Sequence, residues 1–228
     1  MLVIKNARLR AILRILVPAV LLPAVILVGT FLFDEKKHAF VILAVTALSV
    51  LFFLCGFEKK KIGTRRLILV CVMTALSVVG RFIPFFKPVT AFSMITGMYL
   101  GGEAGFLVGA MSAVISNFYF GQGPWTPFQM FTWGMTGLLS GVLARPMKKS
   151  KPFLLVMGVL AGVFYSVLMD VWTVLWAGGG FDLSVYTAAL LTALPYTVLY
   201  SVSNFIFLFF CAKPFGDKLE RVKIKYGV

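Results

Sequence analysis

The chain has 228 residues, of which 60% are hydrophobic and 13% are charged, and its formal net charge is +14. This composition excludes an ordinary soluble domain, which needs polar residues to cover its surface. Apolar stretches follow one another with only short charged breaks, and a helix of about 20 apolar residues spans a bilayer. We therefore expect an all-α polytopic membrane protein, because lipid cannot satisfy open backbone groups and no strand-like alternation runs through the chain.

Eight membrane-spanning helices are predicted in chain order. The fourth and fifth are short and meet at Gly101 and Gly102. The eight segments are residues 12–33, 39–57, 66–84, 89–101, 103–120, 128–144, 153–177 and 186–212.

The positive charge follows this topology. With the N-terminus inside, 18 of the 22 Lys and Arg residues fall in inner segments, and the four outer ones are Lys36, Lys37, Arg81 and Lys87. The positive-inside rule demands this asymmetry. We expect a multi-pass protein of the cell (plasma) membrane with both termini cytoplasmic. The basic charge then reflects topology and contact with an anionic lipid bilayer, not nucleic-acid binding.

A basic segment at residues 58–66 divides the chain into two parts. Residues 1–58 form a predicted transmembrane hairpin with almost no polar group inside the membrane. Residues 65–228 form six helices with Asn, Gln, Asp, Tyr and Trp side chains, followed by a cytoplasmic C-terminal tail. Polar groups are costly in a membrane and tend to mark function. We therefore expect residues 65–228 to be the working core and the hairpin to be accessory.

Nearly all polar groups of the core fall in its outer half, which favours a pocket that opens to the outside. Two helices carry ridges of small residues at four-residue spacing, and such spacing lets helices approach closely. Each ridge ends at a polar residue, Asn117 or Asp170. The ridges are Gly105, Gly109, Ala113, Asn117 and Gly158, Gly162, Ser166, Asp170. The candidate substrate-binding residues are Arg81, Asn117, Gln122, Trp125, Thr126, Gln129, Trp133, Asp170, Tyr196 and Tyr200.

Each candidate also has a purely structural interpretation. The tryptophans suit an interfacial aromatic belt, the tyrosines can bond neighbouring helices, and Arg81 can reach outer headgroups. Asp170 is the hardest to explain in this way, because a carboxylate in the membrane needs a partner. Arg81 is the nearest candidate partner by depth.

Several kinds of chemistry are missing from the chain. It has no GxxxxGK[ST] loop for phosphate, and His38 is its only histidine, which excludes the usual histidine-based catalytic motifs. Its three cysteines form no CxxC pair. We therefore expect no catalytic residue, metal or cofactor. A small secondary transporter and an intramembrane enzyme remain as alternatives to a binding subunit.

Four segments together give a family resemblance. They are Leu67–Arg81, Gly97–Gly105, Ser116–Met130 and Met169–Trp172, and the stretch GPWTPFQM within the third is the most specific. From Arg65 to the C-terminus the chain resembles the substrate-binding subunits, or S-components, of energy-coupling-factor (ECF) vitamin transporters.

The resemblance implies a six-helix substrate-binding core with a high-affinity site for a vitamin-like solute near the outer face. It also implies an ECF coupling transmembrane subunit and two cytosolic ATPases as partners. In that family an AxxxA face on the first core helix contacts the coupling subunit, and Cys71 and Ala75 have the corresponding spacing here. The cobalamin-type branch looks closest, while queuosine precursors, pantothenate and other vitamins stay open as substrates.

Overall fold

The computed structural model describes residues 6–32, 38–56, 64–178 and 180–226, and these ranges contain helices and no β-strand. The predicted all-α class is therefore confirmed. Lys36, Lys37 and the basic run at 59–61 lie outside the described residues. The helices are α1 (Ala7–Leu16), α2 (Leu22–Leu32), α3 (His38–Cys55), α4 (Thr64–Gly80), α5 (Val89–Leu100), α6 (Gly102–Phe120), α7 (Thr126–Val142), α8 (Ala144–Lys149), α9 (Lys151–Gly178) and α10 (Leu183–Tyr226).

Each of the eight predicted segments overlaps described helix, α1 and α2 being joined through a π-helical turn at Val17–Leu21. The third segment was predicted too long, because α4 ends at Gly80. By length and composition, five described stretches can span a membrane. They are Ala7–Leu32, His38–Cys55, Gly102–Phe120, Lys151–Trp176 and Leu183–Lys225. The sequence did not predict the short helix α8, nor that the tail continues as helix to Tyr226.

Helix α5 has only 12 residues, and all of them except Tyr99 are buried. The link at 81–88 therefore enters the bundle before α5 begins. The backbone N–H of Lys87 donates to Ser203 Oγ at 2.9 Å. Helix α10 begins at Leu183, and Ser203 lies about 30 Å from this residue along the helix axis, at 1.5 Å per residue. Irregular backbone at such depth is tolerated where protein covers it.

Glycines allow α5, α6 and α7 to touch through their backbones. Gly105 of α6 faces Gly97 of α5 and Gly137 of α7, and Gly109 faces the backbone at Trp133. The first predicted ridge thus lies between helices, as expected from its spacing. This contact fixes the relative height of α6 and α7 and so the position of the residues at their predicted outer ends.

The second ridge packs against α10. Leu208 lies against Gly158, Ser201 lies against Gly162, and the Thr197 hydroxyl donates to Ser166 Oγ at 2.6 Å. The ridge is buried between the two helices, which form the largest helical hairpin of the protein.

The N-terminal hairpin packs on the core instead of standing apart from it. Phe52 of α3 meets Phe106 of α6 edge to face, with ring centroids 5.3 Å apart. At the predicted inner end, Arg14 Nε lies 3.0 Å from Glu103 Oε1, and an Arg14 amino group donates to the Gly56 carbonyl. Hairpin and core are therefore joined by a shared hydrophobic cluster and by the ion pair of Arg14 with Glu103.

The C-terminal end of α10 also packs on the core. Phe215 meets Phe92 of α5 at 5.3 Å, and Gly216 leaves room for the Tyr99 ring. The Lys148 ammonium lies 3.7 Å from a Glu220 carboxylate oxygen. The predicted tail is thus a helical extension held beneath the bundle.

The glycine contact leads to a stability prediction. A Cβ at position 105 would lie 2.8 Å from the Gly137 carbonyl oxygen, so Gly105→Leu must push α6 and α7 apart. We expect a loss of about 1–3 kcal/mol or more, read as a lower thermal midpoint in detergent. Gly180→Leu is the control, because a Cβ there meets nothing within 4 Å. Equal midpoints for the two variants would contradict the close backbone contact.

Candidate functional site

Arg81 is the centre of a buried group of polar side chains at the predicted outer end of the core. It follows the end of α4 and is 8% exposed. Its guanidinium donates to Ser116 Oγ and, at 2.6 Å, to Asn117 Oδ1. A cation buried in apolar surroundings needs such acceptors, because the loss of hydration is costly. Both acceptors belong to the last turns of α6, so they hold the link at 81–88 against that helix.

Asn117 joins α6 to α7. Its Nδ2 donates to Thr126 Oγ1 and to Gln129 Oε1, both at 2.8 Å, while its Oδ1 accepts from Arg81. Gln129 Nε2 in turn donates to the Tyr165 hydroxyl on α9 at 3.1 Å. The two buried amides of Asn117 and Gln129 therefore connect α6, α7, α9 and the link at 81–88. We call this set the polar cluster: Arg81, Ser116, Asn117, Thr126 and Gln129.

The turn between α6 and α7 is held by local hydrogen bonds. Gly121 has φ 99°, which a residue with a side chain rarely adopts. Gln122 Nε2 donates back to the Val114 carbonyl at 2.7 Å, and the Thr126 hydroxyl donates to Gln122 Oε1 at 3.1 Å. Pro127 lies in the first turn of α7, where its missing N–H leaves no bond unmade. Gln122 thus supports Thr126 within the polar cluster.

Three aromatic rings continue from the polar cluster into the bundle. Trp133 and Tyr165 are stacked, with centroids 5.2 Å apart and 7° between planes, and Tyr200 meets Tyr165 edge to face at 4.9 Å. We call these three residues the aromatic wall. The Arg81 guanidinium carbon lies 5.2 Å from the Trp133 ring and 4.7 Å from the Phe120 ring. Ring faces therefore share in stabilising the buried cation.

Trp125 lies outside this wall, in a second aromatic group. Its ring meets Trp172 at 5.8 Å, and Trp172 lies beside Trp176 with centroids 6.5 Å apart. The indole N–H of Trp172 is buried and has no hydrogen-bond partner. This group lies between the α6–α7 turn and the outer part of α9.

The two predicted tyrosines of α10 have different surroundings. Tyr200 is half-buried in the aromatic wall. Tyr196, one turn earlier, is 62% exposed and makes none of the contacts of the wall. Asn204, one turn further in, donates to the Gly158 carbonyl at 3.1 Å and so joins α10 to α9.

Asp170 is 8% exposed and lies at the end of the ridge that faces α10. Its Oδ2 is buried with no hydrogen-bond partner, and Arg81 bonds to Ser116 and Asn117 instead. The pairing of Arg81 with Asp170 that depth suggested is therefore wrong. The ridge turns the carboxylate toward α10, whereas Arg81 approaches from the side of α6. Asp170 stays a buried acid without an ion-pair partner among the described residues.

Four residues in or beside the polar cluster and the aromatic wall were not predicted from the sequence. They are Ser116, Phe120, Tyr165 and Lys87. Ser116 precedes Asn117 directly, and the pairing of the two as acceptors could have been inferred from their adjacency. Tyr165 precedes a ridge residue, Ser166, and its only signal was a hydroxyl on an otherwise apolar helix face. Which helix that face meets depends on the tertiary packing.

The predicted partner face lies on the opposite, exposed side of α4. Cys71 and Ala75 are exposed and line an apolar groove of about 440 Å³. Leu107 and Met111 of α6 form its second wall, and Val50 of the N-terminal hairpin contributes to a third. The groove is separate from the polar cluster, although α4 and α6 contribute to both.

No group of three or more His, Cys, Asp or Glu residues that could hold a metal occurs in the described part of the chain. The charged groups of the site include the buried Arg81 and the separate buried Asp170, which do not pair with each other. This arrangement offers hydrogen bonds, positive charge and ring faces, and these suit binding of a small molecule.

Comparison with known proteins identifies the family. The family model described as ECF-type riboflavin transporter, S component, matches residues 61–221. No curated protein and no solved structure matches the chain significantly. The preference for a cobalamin-type branch is not confirmed, since the matched family is named for riboflavin. The match covers the six-helix core and most of its C-terminal extension, and the chain belongs to the family of ECF-type riboflavin transporter S components.

Proposed function

We propose that this chain captures a planar, riboflavin-like vitamin at its outer end and passes it to an energy-coupling partner for ATP-driven import. The observation that carries the proposal is the contact between the polar cluster and the aromatic wall. Binding sites for small molecules usually combine an apolar or aromatic lining with a few well-placed polar groups. Both are present here, at the end of the core that the distribution of charge assigns to the outside.

The aromatic wall suits a flat heterocycle. Trp133 and Tyr165 already stack on each other, and Tyr200 presents its ring edge to them. A fused ring system such as that of riboflavin would bury a large apolar face against these rings. The amides of Asn117 and Gln129 carry both donors and acceptors, which match the alternating carbonyl and N–H groups on the polar edge of such a ring.

The remaining predicted residues have supporting or peripheral roles in this proposal. Gln122 and Thr126 hold the turn that covers the site, and Trp125 covers it from outside. Asp170 has a free acceptor oxygen and can receive a hydrogen bond from a hydroxylated side chain of the ligand. Cobalamin is the alternative substrate, and competition between the two vitamins for the purified chain distinguishes them.

Import requires an energy source that this chain lacks, because its sequence has no phosphate-binding loop. We propose that the groove beside Cys71 and Ala75 receives a helix of the coupling subunit, which works with two cytosolic ATPases. Small side chains let helices approach closely in a membrane. A stand-alone secondary transporter is the competing function, and uptake by this chain alone, driven by an ion gradient, would favour it.

Tyr200→Leu should weaken riboflavin binding because it removes one ring of the aromatic wall. Loss of a buried aromatic contact is worth about 1–3 kcal/mol, or roughly one to two decades in Kd. Tyr196→Leu is the matched comparison, one turn away on the same helix but 62% exposed, and should change Kd little. The Kd of each folded variant for riboflavin is measured by titration calorimetry. Equal losses for the two would contradict the proposed wall.

Asp170→Asn should separate a ligand contact from a structural role. Its carboxylate has no ion-pair partner among the described residues, so the ligand-free variant should keep or raise its thermal midpoint. If the carboxylate accepts a ligand hydroxyl, Kd should rise by about one to two decades. Asp182→Asn, on the exposed turn before α10, is the control. Unchanged affinity with a large loss of thermal stability would assign Asp170 to structure alone.

Ala75→Leu should prevent assembly with the coupling subunit, because the added volume fills the apolar groove. Binding of ligand to the isolated subunit should change little. Val72→Leu is the control, since Val72 is exposed on the same helix and does not line the groove. Co-purification with the partner complex and uptake in vesicles measure the outcome. Intact assembly with lost ligand binding would show that this face serves the ligand instead.

A further inference from the structure

Arg81 is a buried cation, and the structure describes no carboxylate paired with it. Its two hydrogen-bond acceptors, Ser116 and Asn117, are neutral, and its Nε is buried with no partner. Neutral acceptors and ring faces offset only part of the cost of taking a guanidinium out of water. In a membrane protein such a group usually faces a partner or marks a pathway for a charged species.

A second cation approaches the same place. Lys87 belongs to the same link as Arg81 and is anchored to α10 through its backbone bond to Ser203. Its ammonium nitrogen lies 5.8 Å from the Phe120 ring centroid, and the Arg81 guanidinium carbon lies 4.7 Å from the same centroid. Both cationic groups thus lie near the same aromatic ring. Two like charges are therefore held close together, which is unfavourable unless an anion joins them.

The acidic residues that the structure describes are all used elsewhere or lie apart. Glu103 pairs with Arg14 at the inner end, and Asp182 accepts the first backbone N–H groups of α10. Asp217 and Glu220 lie on the inner extension of α10, and Asp170 has no ion-pair partner. Asp34, Glu35 and Glu58 lie outside the described residues. Within the described residues, no carboxylate balances Arg81 or Lys87.

We propose that Arg81 and Lys87 receive an anionic group, a carboxylate or a phosphate, carried by the vitamin that this chain captures. The proposal rests on the proposed function and narrows its substrate class to acidic vitamins or vitamin phosphates. The free Nε of Arg81 belongs to a planar fork that suits either anion, and Lys87 adds a second positive charge beside the same Phe120 ring. The planar part of the ligand would then lie against the aromatic wall, with its anionic group toward the link at 81–88.

The test uses matched pairs of probes that differ only in the anionic group. Riboflavin 5′-phosphate is paired with riboflavin, and nicotinate is paired with nicotinamide. Kd is measured for the purified full chain at low ionic strength in neutral detergent. The anionic member of the pair that binds should bind at least about tenfold tighter than its neutral partner, the size expected for one charge-assisted contact.

Lys87→Gln should remove that preference while leaving the Kd of the neutral member within about twofold, since the neutral member makes no charge-assisted contact. This variant keeps the backbone bond to Ser203, so the link stays in place. Lys151→Gln is the matched control. Lys151 also lies over an aromatic ring, that of Phe209 at 3.5 Å, but at the inner end of the core, and its loss should leave the preference unchanged.

The outcomes separate this inference from the function on which it rests. A neutral member that binds as tightly as its anionic partner, or a preference that survives Lys87→Gln, would overturn the anion site and leave vitamin capture standing. Binding of neither member of any pair would contradict the proposed function and the inference with it. Adding phosphatidylglycerol to the detergent is the last arm. Competition by this lipid with the anionic vitamin would assign the two cations to a lipid headgroup and overturn the proposal.

Discussion

The burial of Arg81 at the end of α4 is the constraint on which the predicted outer half of the core depends. A guanidinium in that position must find acceptors, and it finds them in Ser116 and Asn117 of α6. Asn117 is then oriented to donate to Thr126 and Gln129, which fixes the start of α7. Through Gln129 the same chain of bonds reaches α9. One charge therefore determines how four elements meet where the ligand is proposed to bind.

This arrangement depends on close helix packing beneath it. Gly105 and Gly109 let α6 approach α5 and α7 so closely that larger side chains would displace backbone. Since buried polar groups must be satisfied with good geometry, a shift of one helix would break several bonds of the polar cluster together. The N-terminal hairpin supports the other side of α6 through Phe52 and the ion pair of Arg14 with Glu103. Stability and binding are thus linked through α6.

Much of the fold could be predicted from the sequence. A helix that faces lipid needs a long run of apolar residues, and close helix packing needs small residues at regular spacing, so both features can be recognised in the sequence. The helices and the ridge ending at Asn117 follow from those rules. The site was only partly predictable. Depth alone placed Asp170 beside Arg81, but the ridge before Asp170 turns it toward α10. The spacing of Tyr196 and Tyr200 in the sequence places them on the same helix face, yet only Tyr200 belongs to the aromatic wall. Such differences depend on helix tilt and on which neighbour each face meets, and neither is encoded in local spacing.

The central claim is that ligand is held where the polar cluster meets the aromatic wall. The most direct measurement is an experimental structure of the purified chain with the ligand that co-purifies with it, identified by mass spectrometry. The account predicts a planar ring against Trp133, Tyr165 and Tyr200, with its polar edge within hydrogen-bonding distance of Asn117 or Gln129. Ligand in the apolar groove beside Cys71, or in the inner cavity lined by Arg66 and Lys223, would contradict it.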